Sequence, residues 1–122
     1  MDVEELLQEL APKWVIQRID RTFRRYESLP DIEISSRPEL KIDCKYTVGF
    51  FSFKDLEKML LEVEEKYCSG GLHNSEKPVI IYGERKGKTR INKDNIGVCV
   101  RSKYGIMCMP LQAWVKALEG TR

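Results

Sequence analysis

The 122-residue chain has a single histidine, His73, and no Cys-x-x-Cys pair among Cys44, Cys68, Cys99 and Cys108. A structural zinc site takes four thiolate or imidazole ligands at short spacings, so this pattern argues against one. Three of the cysteines lie in strand-like runs, where the residue serves as a small apolar filler, and four free thiols are expected in a reducing cytosol. No apolar run approaches the roughly 18–20 residues of a membrane span, so no membrane partner is expected. The start, Met1-Asp2-Val3-Glu4-Glu5, is acidic and lacks an apolar signal region, which predicts a cytoplasmic location, the host cytosol if the protein is viral. There is no internal repeat and no low-complexity tract. Net charge is only +2, too little to mark a polycation.

What is present is an ordinary globular composition, with 42% hydrophobic and 33% charged residues. The length suits one domain with one core. Charge is unevenly placed. Residues 1–76 hold 11 Lys/Arg against 16 Asp/Glu, and residues 77–122 hold 10 against 3. Halves of opposite sign suit a protein that holds cations with one part and phosphates with another, although a solvated basic loop would look similar.

Helical spacing of Val3, Leu6, Leu7 and Leu10 predicts a helix over 2–10, which Pro12 interrupts. A second helix is predicted over 12–26. Trp14, Val15, Ile19, Phe23 and Tyr26 would form its apolar side, and Arg18, Arg21, Arg24 and Arg25 its basic side. Asp31-Ile32-Glu33-Ile34 alternates as a strand, 35–39 reads as a turn, and 40–46 is a second strand, giving an antiparallel hairpin. Ser52 caps a helix over 53–67. Val79-Ile80-Ile81-Tyr82 reads as a buried central strand, 83–95 as a basic loop, and 96–100 and 105–109 as two short strands. Pro110 opens a last helix through about Leu118, stopped by Gly120. The order α-β-β-α-β-β-β-α predicts an α/β fold, a mixed sheet of about five strands flanked by helices.

The hairpin carries the chemistry. Side chains at i and i+2 of a strand share a face. Asp31 therefore goes with Glu33, and Asp43 with Lys45. Carboxylates brought together this way are hard oxygen ligands for Mg²⁺, and a nearby ammonium can stabilise charge at a phosphate or orient a water. The Cys44 carbonyl, between Asp43 and Lys45, is a further candidate ligand. The same alternation also describes the wet face of a plain hairpin.

Pro30-Asp31, eleven intervening residues, then Asp43-Cys44-Lys45 resembles the PD-(D/E)xK nuclease signature. The chain is similar to small archaeal and viral Holliday-junction resolvases and to compact phage-borne endonucleases of that superfamily. In the latter a D-x-E strand, an [E/D]-x-K strand, a helix, a K-x-P-h-h-h strand and an M-x-L-x-x-[FW] segment follow in order. Here Asp31-Ile32-Glu33, Asp43-Cys44-Lys45, Lys77-Pro78-Val79-Ile80-Ile81 and the run Met107 to Trp114 correspond. The resemblance covers about residues 28–119. It implies a restriction-endonuclease-like core and a DNA endonuclease dependent on Mg²⁺ or Mn²⁺, acting on branched DNA. Asp31 and Asp43 would hold the metal and Lys45 would assist the water. Resolvases of this kind add a glutamate from the N-terminal helix, for which Glu9 is the first candidate and Glu5 the next. Paired cuts imply a homodimer. Asp43 stands where glutamate is commoner, and Arg24-Arg25-Tyr26-Glu27-Ser28 replaces the expected glycine- and serine-rich loop.

Arg24 and Arg25, with Arg85, Lys86, Lys88, Arg90 and Lys93, are the candidate phosphate contacts. Trp14 and Trp114 read as core aromatics. His73 has no partner pattern and is given no role. Two other classes fit the same residues: a catalytically inactive nuclease fold that binds DNA or serves assembly, and an interaction protein whose hairpin carboxylates are solvated surface.

Overall fold

The computed structural model describes residues 3–18, 31–47, 51–68, 77–86, 90–102 and 104–120. Positions 18, 84–86 and 90–94 are described by their backbone alone. Among the described residues three helices and six strands run in the order α1 (Val3–Leu10), β1 (Ile16–Arg18), β2 (Ile32–Ile34), β3 (Leu40–Thr47), α2 (Phe53–Tyr67), β4 (Lys77–Lys86), β5 (Arg90–Ser102), β6 (Gly105–Pro110) and α3 (Leu111–Gly120). The strands form one mixed sheet in chain order, β1 to β6. Every neighbouring pair is antiparallel except β3–β4, which α2 joins as the crossover between parallel strands. The architecture is therefore α/β, with six strands rather than about five.

The extra strand is β1, in the first part of the helix expected over 12–26; residues 19–26 lie outside the described residues. Pro12 and Lys13 form a turn instead, and Ile16-Gln17-Arg18 pairs with β2. The Ser35 N–H donates to the Val15 carbonyl at 2.9 Å, and the Gln8 side chain donates to the Trp14 carbonyl at 2.8 Å. The β-branched pair Val15-Ile16 suits a strand, and tertiary pairing overrides the amphipathic pattern. Arg24 and Arg25 lie outside the described residues, as does His73.

The basic segment 83–95 is also not a loop throughout. β4 continues to Lys86 and β5 begins at Arg90, with a register shift between Gly83 and Arg85. Arg85, Lys86, Arg90 and Lys93 thus sit on the backbone of a β-hairpin arm, while Lys88 lies outside the described residues.

Two apolar clusters sandwich the sheet. On one face Ile32, Ile34, Ile42, Val79, Ile81 and Val98 pack with Val3, Leu7 and Ala11 from the α1 side and with Trp114 and Val115 of α3. Trp14 meets Trp114 edge to face at 6.4 Å, so both tryptophans belong to the core. On the other face α2 sets Leu56, Leu60, Val63 and Tyr67 on Ile80 and Cys99. Helical spacing makes that stripe. A capping box starts the helix, in which the Ser52 hydroxyl accepts from the Asp55 N–H and the Ser52 N–H donates to the Asp55 carboxylate. No helix among the described residues is long and apolar enough to cross a membrane.

Candidate functional site

The site is set by β3. Leu40, Ile42, Cys44 and Tyr46 pack with the α1/α3 cluster, so alternation turns Lys41, Asp43, Lys45 and Thr47 to the α2 face. The register extends this across the sheet. Asp43 pairs with Ile80, Ile80 with Cys99 and Cys99 with Cys108, a single row running from β3 to the edge strand. The next row is Lys45, Tyr82, Gly97 and Pro110.

Asp43 is 7% exposed and, among the described residues, the one charged side chain the fold buries. Taking a carboxylate out of water is unfavourable, so a buried aspartate in an otherwise apolar row is a local conflict of the kind functional sites tolerate. Lys45, two residues on, is half-buried.

Asp31 reaches β3 directly. Its N–H donates to the Ile42 carbonyl at 3.0 Å, and its carboxylate Oδ2 accepts from the Cys44 N–H at 2.9 Å. The β2–β3 ladder has its register pair at Ile32 and Ile42, and the aspartate side chain takes over where backbone pairing stops. The backbone bond to Ile42 and the side-chain bond to Cys44 put Asp31 beside the segment 42–44 that holds Asp43. The structure thus gathers Asp31, Asp43, the Cys44 backbone and Lys45 at one end of the hairpin. Two carboxylates and a carbonyl are hard oxygen donors of the type Mg²⁺ takes, so the donor chemistry fits that ion.

It does not gather the other carboxylates. Glu33 pairs with Gln17 and, counting from Ile32–Ile42, comes opposite Lys41, one row away from Asp43. Glu9 is exposed on α1, whose buried side packs on the opposite face of the sheet. Among the described residues no three His, Cys, Asp or Glu side chains converge on a point where they could hold a metal ion.

Tyr82 and the two cysteines beside it are not singled out by any sequence motif. A Cβ at Gly97 would lie 2.5 Å from Tyr82 Cζ, so the bare glycine lets the phenol lie across β5. Tyr82 and Cys108 pack against the same cluster beneath α2, and Phe51, just before the α2 cap, packs edge to face on the Tyr82 ring at 6.4 Å. Burial, with the neighbouring Cys108, pushes the Tyr82 phenol up to about 12 and the Cys99 thiol up to about 12. The missed signal was a Tyr and a Gly that become register partners only once β4 and β5 pair.

A separate cleft of about 580 Å³ opens at the other end of β3 and β4, with Leu40, Val79 and Trp114 in its wall. Its arginines are engaged: Arg37 donates to the Leu118 carbonyl at 2.6 Å, and Arg101 pairs with Glu64 at 2.6 Å. None of the sequence-derived candidates lines it.

In comparison with known proteins, the chain matches no family model and no curated sequence.

Proposed function

We propose that this protein is a metal-dependent DNA endonuclease of the PD-(D/E)xK type, hydrolysing phosphodiesters in branched DNA as a cytosolic homodimer. The observation that carries the reading is the buried Asp43 on the strand whose Cys44 N–H is bound by the Asp31 carboxylate, with Lys45 on the face of Asp43. The parallel β3–α2–β4 crossover behind an antiparallel β2–β3 hairpin is compatible with a restriction-endonuclease-like core.

In this reading the Asp31 and Asp43 carboxylates and the Cys44 carbonyl hold Mg²⁺ or Mn²⁺. When bound there, the ion would supply charge neutralisation at phosphorus and a more acidic water. Lys45 orients the attacking water and offsets charge developing on the phosphate oxygens. Arg85, Lys86, Arg90 and Lys93 on the β4–β5 arm contact the backbone of the DNA and fix its position without reading sequence. Two protomers provide the paired cuts that a four-way junction requires.

A second reading has its own observation. Glu33 and Glu9 stand away from Asp43, and among the described residues no third side-chain carboxylate completes the set. That favours a nuclease fold kept for DNA binding or assembly without catalysis.

Labelled four-way junction, flap and linear duplex, incubated with Mg²⁺, Mn²⁺ or EDTA, separate the two. Metal-dependent cutting, reduced about 100-fold or more by both Asp43→Ala and Lys45→Ala, is the expected result. Salt-dependent binding of intact DNA by folded protein would replace it with the binding module.

A further inference from the structure

We propose that Cys99 and Cys108 are an oxidation site that closes to a reversible intrachain disulfide across the β5–β6 edge hairpin. The two residues are direct register partners on antiparallel strands, and their side chains share the α2 face. Antiparallel pairs alternate between hydrogen-bonded and non-hydrogen-bonded positions. Pro110, which has no N–H to give, pairs with Gly97 and so marks a non-hydrogen-bonded position. Stepping two residues along each strand puts Cys99 and Cys108 in the same class. There the Cα atoms stand about 4.5 Å apart, within the range a disulfide spans. Cys99 belongs to the apolar cluster beneath α2 and Cys108 packs against that cluster, both as free thiols.

Access orders the chemistry. Cys99 is fully buried, whereas Cys108 is half-buried on the edge strand. Cys108 therefore meets the oxidant, a hydroperoxide, and Cys99 resolves. The Cys108 thiolate attacks one peroxide oxygen; the S–O bond forms, the O–O bond breaks, and hydroxide leaves and takes a proton as water. The Cys99 sulfur then attacks the Cys108 sulfur; the S–S bond forms, the S–O bond breaks, and a second water leaves with the Cys99 proton. Two thiols are oxidised and one peroxide is reduced. A dithiol reverses the bond by exchange. Neither Cys44 nor Cys68 has a cysteine opposite it, and Cys44 packs toward the other face of the sheet.

The test treats the purified full chain with a few equivalents of hydrogen peroxide, then reads intact mass and free thiols under denaturing conditions, followed by an unreduced tryptic map. Arg101 and Lys103 separate the two cysteines, so residues 94–101 and 104–116 fall on different peptides. The expected result is a mass lower by about 2 Da, loss of two of the four thiols, and a linked pair of those peptides that dithiothreitol separates. A Cys44→Ser/Cys68→Ser double variant should give the same linked pair, and Cys108→Ser should give none. Folded wild-type protein that keeps four thiols, that links Cys44 or Cys68 instead, or that gains oxygen at Cys108 without linking overturns the proposal. The wild-type map decides even if a variant fails to fold.

Discussion

Ile42 and Asp43 are neighbours on β3, and they face opposite sides of the sheet. Ile42 enters the aliphatic layer beneath α1 and α3, where Leu7, Ile34 and Ile81 are completely buried. Asp43 enters the layer beneath α2, in a row that ends in two cysteines and beside a row with Lys45 and Tyr82. The fully buried side chains of the first face are aliphatic. The other mixes packing with a carboxylate, an ammonium, a phenol and two thiols. A fold can carry such groups where a well-packed opposite face supplies the stability, which is why the chemistry and the compromise sit together.

The sharpest way to break this comparison is to substitute the two neighbours. Ile42→Ala removes a fully buried side chain and should destabilise by about 2–5 kcal/mol in denaturant unfolding. Asp43→Asn keeps the shape and removes the charge, so stability should change far less than in Ile42→Ala, and on the proposed nuclease reading cleavage should be lost. A large loss of stability from Asp43→Asn would make that carboxylate a structural group.

Gly97→Ala should cost about 1–3 kcal/mol, since the new methyl meets the Tyr82 ring at 2.5 Å. Combining it with Tyr82→Leu should give less than the sum of the two single effects, a coupling that a double-mutant cycle reads. Additive effects would mean that the ring does not lie over Gly97.

The titratable face should also show in alkali. Tyr82 and Cys99 are neutral when protonated, and burial raises them from 10.0 and 9.0 to about 12 in the folded chain. The unfolded chain releases these protons first. Their contribution is therefore complete below about pH 9 and is lost as pH rises toward 12. Melting temperature should fall across that window, and less steeply in Tyr82→Phe.

The smallest effect belongs to Arg101–Glu64. It is a close pair at 2.6 Å, but both side chains are more than a third exposed. Arg101→Ala should cost under about 1 kcal/mol, and the difference should shrink in high salt.

Much of this was legible beforehand, for local reasons. The capping Ser52 and the Leu56, Leu60, Val63 stripe place α2 at 53–67, as observed. The apolar run at 79–82 marks the centre of the sheet. The i, i+2 rule sets Asp43 and Lys45 on one face. The misreadings are equally local in origin. Trp14, Val15 and Ile19 fit a helical stripe, yet Ile16 to Arg18 is held by β2, whose sequence is more than a dozen residues away. Basic residues at 85–93 suggested a loop because charge masks strand periodicity, and the pairing of Arg85 with Ile91 and Lys86 with Arg90 overrides it.

The sequence by itself determined which segments can bury a face and which residues bring oxygen, nitrogen or sulfur to a site, because side-chain period and ligand chemistry are properties of the residues. It could not determine which face each strand gives to which helix. Only the tertiary register decided that Asp31 reaches Cys44, that Glu33 and Glu9 stand apart from Asp43, and that Cys99 meets Cys108. The strand outcomes depend on pairing between distant segments, and a slip of one residue in that pairing would have turned the strand side chains among them to the other face.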